Sequence, residues 1–556
     1  MTATLEATDE SAGPGPGGAP DATATPDVPP RPVPAALAPW KDPHPGVGWL
    51  LTLVIVALAG LTRFWALGFP PTKNFDEVYY ATEAQELLRY GYEDNRGYMF
   101  IVHPPLGKWL IGASEWYQGL VTHQGSAGYL TNSLGWRIMP AIFGCFGVIM
   151  MMRIVRRMMR SNLFGFIAGL LMVCEGLSLV LARTAILDIF LQTFVIAGFG
   201  ALVIDRDKMR TRLAGLIASG VDLTTGVPTL GPRPWRLVAG VMLGLACAVK
   251  WTALSFFVLF VILSLVWDRA AFKSAGVRRP GRSWWRRAVL PGVGSLIITP
   301  IATYLLCYLG WFAGENGFNR HWADSHSTSA RLNIFGLRIP FDWGWVPGPI
   351  RSLGWTTLDA YRFHEGLDSG HAYESSPWSW LVLGRPVDFY YNGDGTKCGA
   401  SACAREVLLI GTPLMWWAFA PMLLWLAWHW ITTRDWRAGA VWVAFIAGWA
   451  VWFQDLKRTM FLFYMAPLVP FMIIGVTLAL GTMLGPALAR KRIKNDPRPM
   501  TDDDYHALRR RYWGIAGVAT YLALVVADFA WMWPIFTGGL MSYSEWQAHM
   551  WLPSWV

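Results

Sequence analysis

The chain has 556 residues, 54% of them hydrophobic and 15% charged, with a formal net charge of +10. Soluble domains usually carry about 25% charge, so so little charge over this length excludes a string of soluble domains and implies a membrane bundle. The bases fall in short clusters between apolar runs, which is a topology signal and not a nucleic-acid surface.

Residues 1–45 read as a cytoplasmic tail. Ala, Pro, Gly, Thr and Asp dominate it, and Glu6, Asp9, Glu10, Asp21 and Asp27 precede the first base, Arg31. Such a segment cannot bury enough apolar area to offset chain entropy, so disorder is expected. It lacks the basic start and apolar stretch of a signal peptide.

Residues 46–536 form the membrane domain. Eleven apolar runs lie near 47–67, 134–152, 163–181, 185–204, 235–250, 252–267, 288–312, 405–428, 437–453, 460–484 and 513–535. Each can close its backbone hydrogen bonds as a helix, as lipid demands, so the expected fold class is an all-α polytopic membrane protein. With the amino terminus inside, the inner loops hold Arg153 to Arg160, Arg206 to Arg212, Arg269 to Arg287 and Arg490 to Arg511, in keeping with the positive-inside rule. The C-terminal segment 537–556, with Trp546, Trp551 and Trp555, is then an outer, interfacial stretch. Two large outer loops remain, 68–133 and 313–404, and long loops of this kind usually carry function. Cys398 and Cys403 sit in the second, where an oxidising compartment permits a disulfide, although two free thiols fit the sequence equally well.

The outer ends of the spans carry charges that the positive-inside rule disfavours. Asp76 and Glu77 open the first outer loop. Arg137 begins the second span, Arg183 and Asp188 sit at one turn, Lys250 at another, and Asp455, Lys457 and Arg458 at a third. Any one of these fits a structural ion pair, such as Arg183 with Asp188. Together they suggest an outward cavity that binds an anion beside a carboxylate. That pairing suits transfer from a lipid-phosphate sugar: cations stabilise the leaving phosphate and the carboxylate accepts the proton of an attacking hydroxyl. No cofactor is required by this chemistry; whether a divalent cation assists stays open, and no metal-ligand cluster is legible.

The motifs resemble the protein O-mannosyltransferase family. Phe75-Asp76-Glu77 followed by His103-Pro104-Pro105-Leu106-Gly107-Lys108 matches its FDE…HPPLGK pattern. Arg137, the Arg183-to-Asp188 turn, Val249-Lys250-Trp251-Thr252, Pro377-Trp378-Ser379-Trp380 with Arg385-Pro386-Val387, and Arg458-Thr459-Met460-Phe461 follow in the family's order. The resemblance implies a GT-C-type fold, a polyprenyl-phosphate-mannose donor and inverting transfer to Ser or Thr of secretory polypeptides. It gives Asp76 the role of general base and Glu77 a positioning role. The second outer loop is too short for the β-trefoil of eukaryotic members, so the bacterial branch is implied, and Phe463-Tyr464 replaces the His-Tyr of those members. Candidates for donor phosphate or sugar are Arg137, Arg183, Lys250, Lys457, Arg458, Lys108 and Arg385. Candidates for the acceptor side are His103, Trp378 and Trp380, for each of which a packing role is the alternative. Expected partners are the lipid donor, Ser/Thr-containing secretory polypeptides, membrane lipids and the Sec translocon, with no nucleic acid, at the cell membrane. A GT-C enzyme acting on lipid or polysaccharide is the competing function. A transporter is disfavoured because no repeat halves are visible.

Overall fold

The computed structural model describes residues 32–40, 42–94, 101–122, 132–334, 337–393, 397–485 and 501–556, with backbone only for 330–334 and 337–341. Most of the amino-terminal tail, parts of the first loop, and Arg490, Lys491, Arg492, Lys494 and Arg498 lie outside the described residues.

Among the described residues, nine helices are long and apolar enough to cross a membrane. They are α1 (Pro45–Phe64), α4 (Ser133–Met159), α7 (Asp188–Ala218), α9 (Ala253–Ser274), α10 (Pro280–Leu306), α12 (Pro413–Thr433), α13 (Trp436–Phe453), α14 (Leu462–Leu484) and α15 (Asp502–Thr537). A tenth is the pair α5 (Asn162–Val173) and α6 (Gly176–Ala182), bent by 63°. Helix α8 (Pro234–Val249), the fifth of the eleven apolar runs, has only 16 residues. Between α1 and α4, helices α2 (Glu77–Tyr90) and α3 (Leu106–Thr122) fill the first loop.

The bend between α5 and α6 is chemically closed. Glu175 caps α6 by accepting from the N–H groups of Leu177 (3.0 Å) and Ser178 (2.6 Å). The Thr412 hydroxyl donates to the Cys174 carbonyl at 2.6 Å and accepts from the Gly176 N–H at 3.1 Å. A break in an apolar helix is tolerated only where such partners replace the lost bonds. Helices α7 and α14 form the centre: 89% of the apolar window of each is buried. Helix α8 meets α10 at Gly240 and Gly244, where an added Cβ would strike the Ser295 and Pro300 carbonyl oxygens at 2.0 and 2.7 Å. Small residues of this kind let helix backbones approach closely in lipid.

The loop between α10 and α12 is folded. An antiparallel hairpin joins β1 (Ser329–Ile334) and β2 (Leu337–Asp342), with Ile334 opposite Leu337. Helix α11 (Gly348–Glu365) follows. A three-stranded sheet then orders β3 (Val387–Asn392), β4 (Cys403–Leu409) and β5 (Met541–Ser542), so the C-terminal segment completes this loop. Cys398 and Cys403 form a disulfide at the head of β4. The span expected at 405–428 is corrected here: its first residues belong to β4, and the helix starts only at Pro413. A strand buried on both faces presents a continuous apolar run, which periodicity cannot separate from a helix.

Candidate active site

The site is built on the turn before α2. Phe75 adopts φ 51°, a left-handed conformation that costs a non-glycine residue about 1–3 kcal/mol. Its ring holds the turn in place, stacked on Phe389 (5.2 Å) and edge-on to Phe461 (5.5 Å), Phe463 (5.8 Å) and His371 (5.9 Å). The two carboxylates that follow meet different surroundings.

Glu77 is fully buried and fully bonded. It accepts from Arg137 Nε (2.8 Å) and Nη2 (2.7 Å), and from the backbone N–H groups of Asn74 (3.0 Å) and Ala185 (2.8 Å). Arg137 spends its remaining donors on the carbonyls of Pro70 (2.7 Å) and Thr72 (3.1 Å). This pair pins the loop to α4 and to the turn before α7. Neither group has a free bonding direction for substrate.

Asp76 is half-buried, and Tyr80, one helical turn on, donates its hydroxyl to Asp76 Oδ2 at 3.2 Å. Burial pushes the Asp76 carboxyl up to about 6, against the pull of the Lys250 ammonium and the Tyr80 hydrogen bond. Lys250 ends α8 and bonds Asp188, which begins α7, at 2.7 Å. Its ammonium lies 5.6 Å from the ring centres of both Phe463 and Tyr464. Arg458 faces Tyr464 (5.5 Å) and Trp452 (5.4 Å). Its Nε donates to the His364 carbonyl at 2.9 Å, and its Nη2 sits 3.4 Å from His364 Nδ1. His364 Nε2 is 3.1 Å from the Val102 carbonyl, so Nε2 carries the proton and Nδ1 faces Arg458 as an acceptor. Burial and then Arg458 push His364 down to about 4, and burial followed by Lys250 holds His103 well below its ordinary value. The two neutral rings stack at 5.0 Å, and His103 lies 5.9 Å from the Tyr80 ring. Asp76, Tyr80, His103, His364, Arg458, Tyr464, Lys250 and Asp188 thus form one continuous cluster at the mouth of the bundle.

The other sequence candidates fall elsewhere. Arg183 caps the end of α1, donating to the carbonyls of Trp65 and Ala66, instead of pairing with Asp188; a cation suits the carbonyl end of a helix. Lys108 is fully buried between Glu83 and Glu93. Arg385 clamps the Ala372 carbonyl and the carbonyls of Ser554 and Val556. Lys457 is exposed beside the cluster. Trp380 is core, donating to Ser375 Oγ at 2.9 Å, whereas Trp378 is 58% exposed. Arg137, Arg183, Lys108 and Arg385 are thus each engaged by groups of the protein itself. Sequence reasoning missed Tyr80, His364 and Tyr464. Tyr80 had a signal in its i,i+4 spacing from Asp76. His364, on a helix of the distant loop, had none.

Beside the cluster a small cleft, partly open to solvent, lies against His103 and Trp251, with Tyr308, Trp311, Leu353 and Thr357 among its walls.

A polytopic helical bundle with an acid and two cations at one mouth is the arrangement of a GT-C membrane glycosyltransferase. The fold agrees with that class: a chain of the S. cerevisiae protein O-mannosyltransferase Pmt1-Pmt2 complex bound to the sugar donor superposes with TM-score 0.67 over 92% of each chain, at 16% identity. Family models described as dolichyl-phosphate-mannose-protein mannosyltransferase and as the C-terminal four-span region of protein O-mannosyltransferase match residues 53–314 and 356–555. Relatives named polyprenol-phosphate-mannose–protein mannosyltransferase are 40% identical in Mycolicibacterium smegmatis, over 91% of this chain and 93% of that protein, and 35% identical in Corynebacterium glutamicum, over 90% and 92%. The chain belongs to the protein O-mannosyltransferase family.

Proposed function

We propose that the chain transfers mannose from polyprenyl-phosphate-mannose to Ser or Thr hydroxyls of secretory polypeptides by one inverting displacement. The relatives' shared name supports the donor and the protein acceptor. The observation that carries the mechanism is the contrast within one turn: Glu77 is saturated, while Asp76 is half-buried, its carboxylate bonded among the described residues by Tyr80 alone, and lies in the field of Lys250.

Lys250 and Arg458 hold the donor phosphate. Lys250 has three donors and Asp188 uses one; Arg458 has five and His364 engages two groups. The acceptor oxygen attacks the anomeric carbon as the bond from that carbon to the phosphate oxygen breaks. Asp76 takes the hydroxyl proton, and the electron pair leaves on polyprenyl phosphate, whose charge Lys250 and Arg458 stabilise. The neutral His364 accepts from Arg458 and keeps its guanidinium aimed at the site. Lys457, exposed at the rim, adds attraction for the lipid headgroup. Arg137 with Glu77, and Arg183 on α1, keep the Asp76 turn in register.

The site end of the bundle is assigned to the exoplasmic side of the cell membrane, the basic clusters around Arg156 and Arg210 and the amino terminus to the cytoplasm. The positive-inside rule supports this, as does a disulfide at the site end. Membrane lipids and the Sec translocon are the partners such a placement brings within reach. Incubation of the purified protein with polyprenyl-phosphate-mannose and a Ser/Thr-rich peptide tests the reading. Mass spectrometry should find one hexose added to the peptide; hexose on lipid or glycan alone would transfer the chain to the competing function.

A further inference from the structure

The cavity beside the histidine pair has no part in the chemistry just derived. It shares His103 with the catalytic cluster and is also lined by Trp251, the residue after Lys250, so it lies one ring away from Arg458. Its remaining walls come from segments beyond the ends of the spans: the first loop at Glu93, Ile101 and Val102, the stretch after α10, and α11.

Apart from His103, which belongs to the catalytic cluster, the polar groups on these walls have partners. Glu93 is paired with Lys108. Trp311 Nε1 donates to the Phe318 carbonyl at 2.9 Å, and Trp251 Nε1 to Tyr304 Oη at 3.2 Å. Tyr308 shares a hydrogen bond with Tyr304 at 3.3 Å. Thr356 and Thr357 donate to their own helix, at the Ser352 and Leu353 carbonyls. A sugar pocket needs unspent donors and acceptors, because each buried hydroxyl of the ligand left unpaired costs affinity. What these walls present is apolar and aromatic surface, shaped by Trp251, Trp311, Phe318, Leu353 and Ala360.

We infer that this cavity is an acceptor subsite, taking an apolar side chain that neighbours the target Ser or Thr in the polypeptide. The inference rests on the mannosyltransferase reading and adds a sequence preference to it. A lipid chain is the other apolar candidate, but a cavity walled by loop segments and continuous with the catalytic mouth is open to the polypeptide side.

The test uses the full-length protein with single-Thr peptides whose flanking positions carry Ala, Val or Leu. The wild type should favour Leu or Val over Ala by roughly tenfold in kcat/KM, the discrimination expected when added methylenes enter an apolar pocket. Ala360→Leu, which fills the cavity, should shrink that preference below about twofold by raising the peptide KM. Leu353→Ala, which enlarges it, should move the preference toward bulkier flanks such as Trp. The KM for polyprenyl-phosphate-mannose should stay unchanged in both. A wild type indifferent to the flanks, a preference that neither variant moves, or a change in donor KM alone would overturn the subsite while leaving the transferase reading intact. No transfer to any peptide by the wild type would overturn both.

Discussion

The carboxylate of Glu77 meets four donors and the carboxylate of Asp76, one residue earlier, accepts from Tyr80. The same division separates the cations: Arg137 is spent on Glu77 and on protein carbonyls and Arg183 on protein carbonyls, whereas Lys250 and Arg458 keep donors free beside aromatic rings. One set of charges builds the mouth of the bundle and the other is left for substrate. Adjacent acids, or basic residues at equivalent span ends, therefore cannot be assigned by type; the count of bonds already made decides.

The contrast is breakable. Asp76→Asn should abolish transfer, with a loss of about 10²–10⁴-fold, while the purified protein stays folded and inserted. Turnover within tenfold of wild type, measured with the hexose-transfer assay, would remove Asp76 as the base. Glu77→Gln should behave differently, destabilising the fold by about 3–5 kcal/mol because it leaves the buried Arg137 charge unpaired; thermal unfolding in detergent reads this directly. Arg458→Ala should raise the donor KM by roughly tenfold or more, through loss of about 1.5–3 kcal/mol of charge-assisted bonding. Arg385→Ala, which loosens only the C-terminal clamp, should leave the donor KM within about twofold, a surface-scale effect. If those two variants were equivalent, the division of cations would fail.

Much of this was legible in the sequence. The spans, the two large loops and the concentration of charge at one mouth followed from hydropathy and the positive-inside rule. The motif around Asp76 followed from the family resemblance, and Lys250 and Arg458 stood out at charged outer turns, but only among seven candidates that also held Arg137, Arg183, Lys457, Lys108 and Arg385. What sequence could not supply was the fate of each hydrogen bond. Arg183 was as good a partner for Asp188 as Lys250 until α1 ended beneath its guanidinium. Trp378 and Trp380 look alike in Pro377-Trp378-Ser379-Trp380, yet two residues of helix put one in the core and the other in the open. The strand β4 passed for the start of a span because burial on both faces erased its alternation.

Tyr80→Phe sharpens the account at the smallest scale. The lost hydrogen bond stabilised the ionised carboxylate, so the Asp76 pKa should rise further and the acid limb of the rate profile should move to higher pH. A purely structural role for Tyr80 would lower the rate without moving that limb.

The pH profile of transfer by the wild-type protein tests the central claim most directly. The base must be ionised, and burial lifts its carboxyl from 3.8 to about 6, so the rate should fall as pH drops through 6. His364, held near 4, is neutral across that range and adds no second step there. A rate that holds steady down to pH 4 would contradict a buried Asp76 as the proton acceptor.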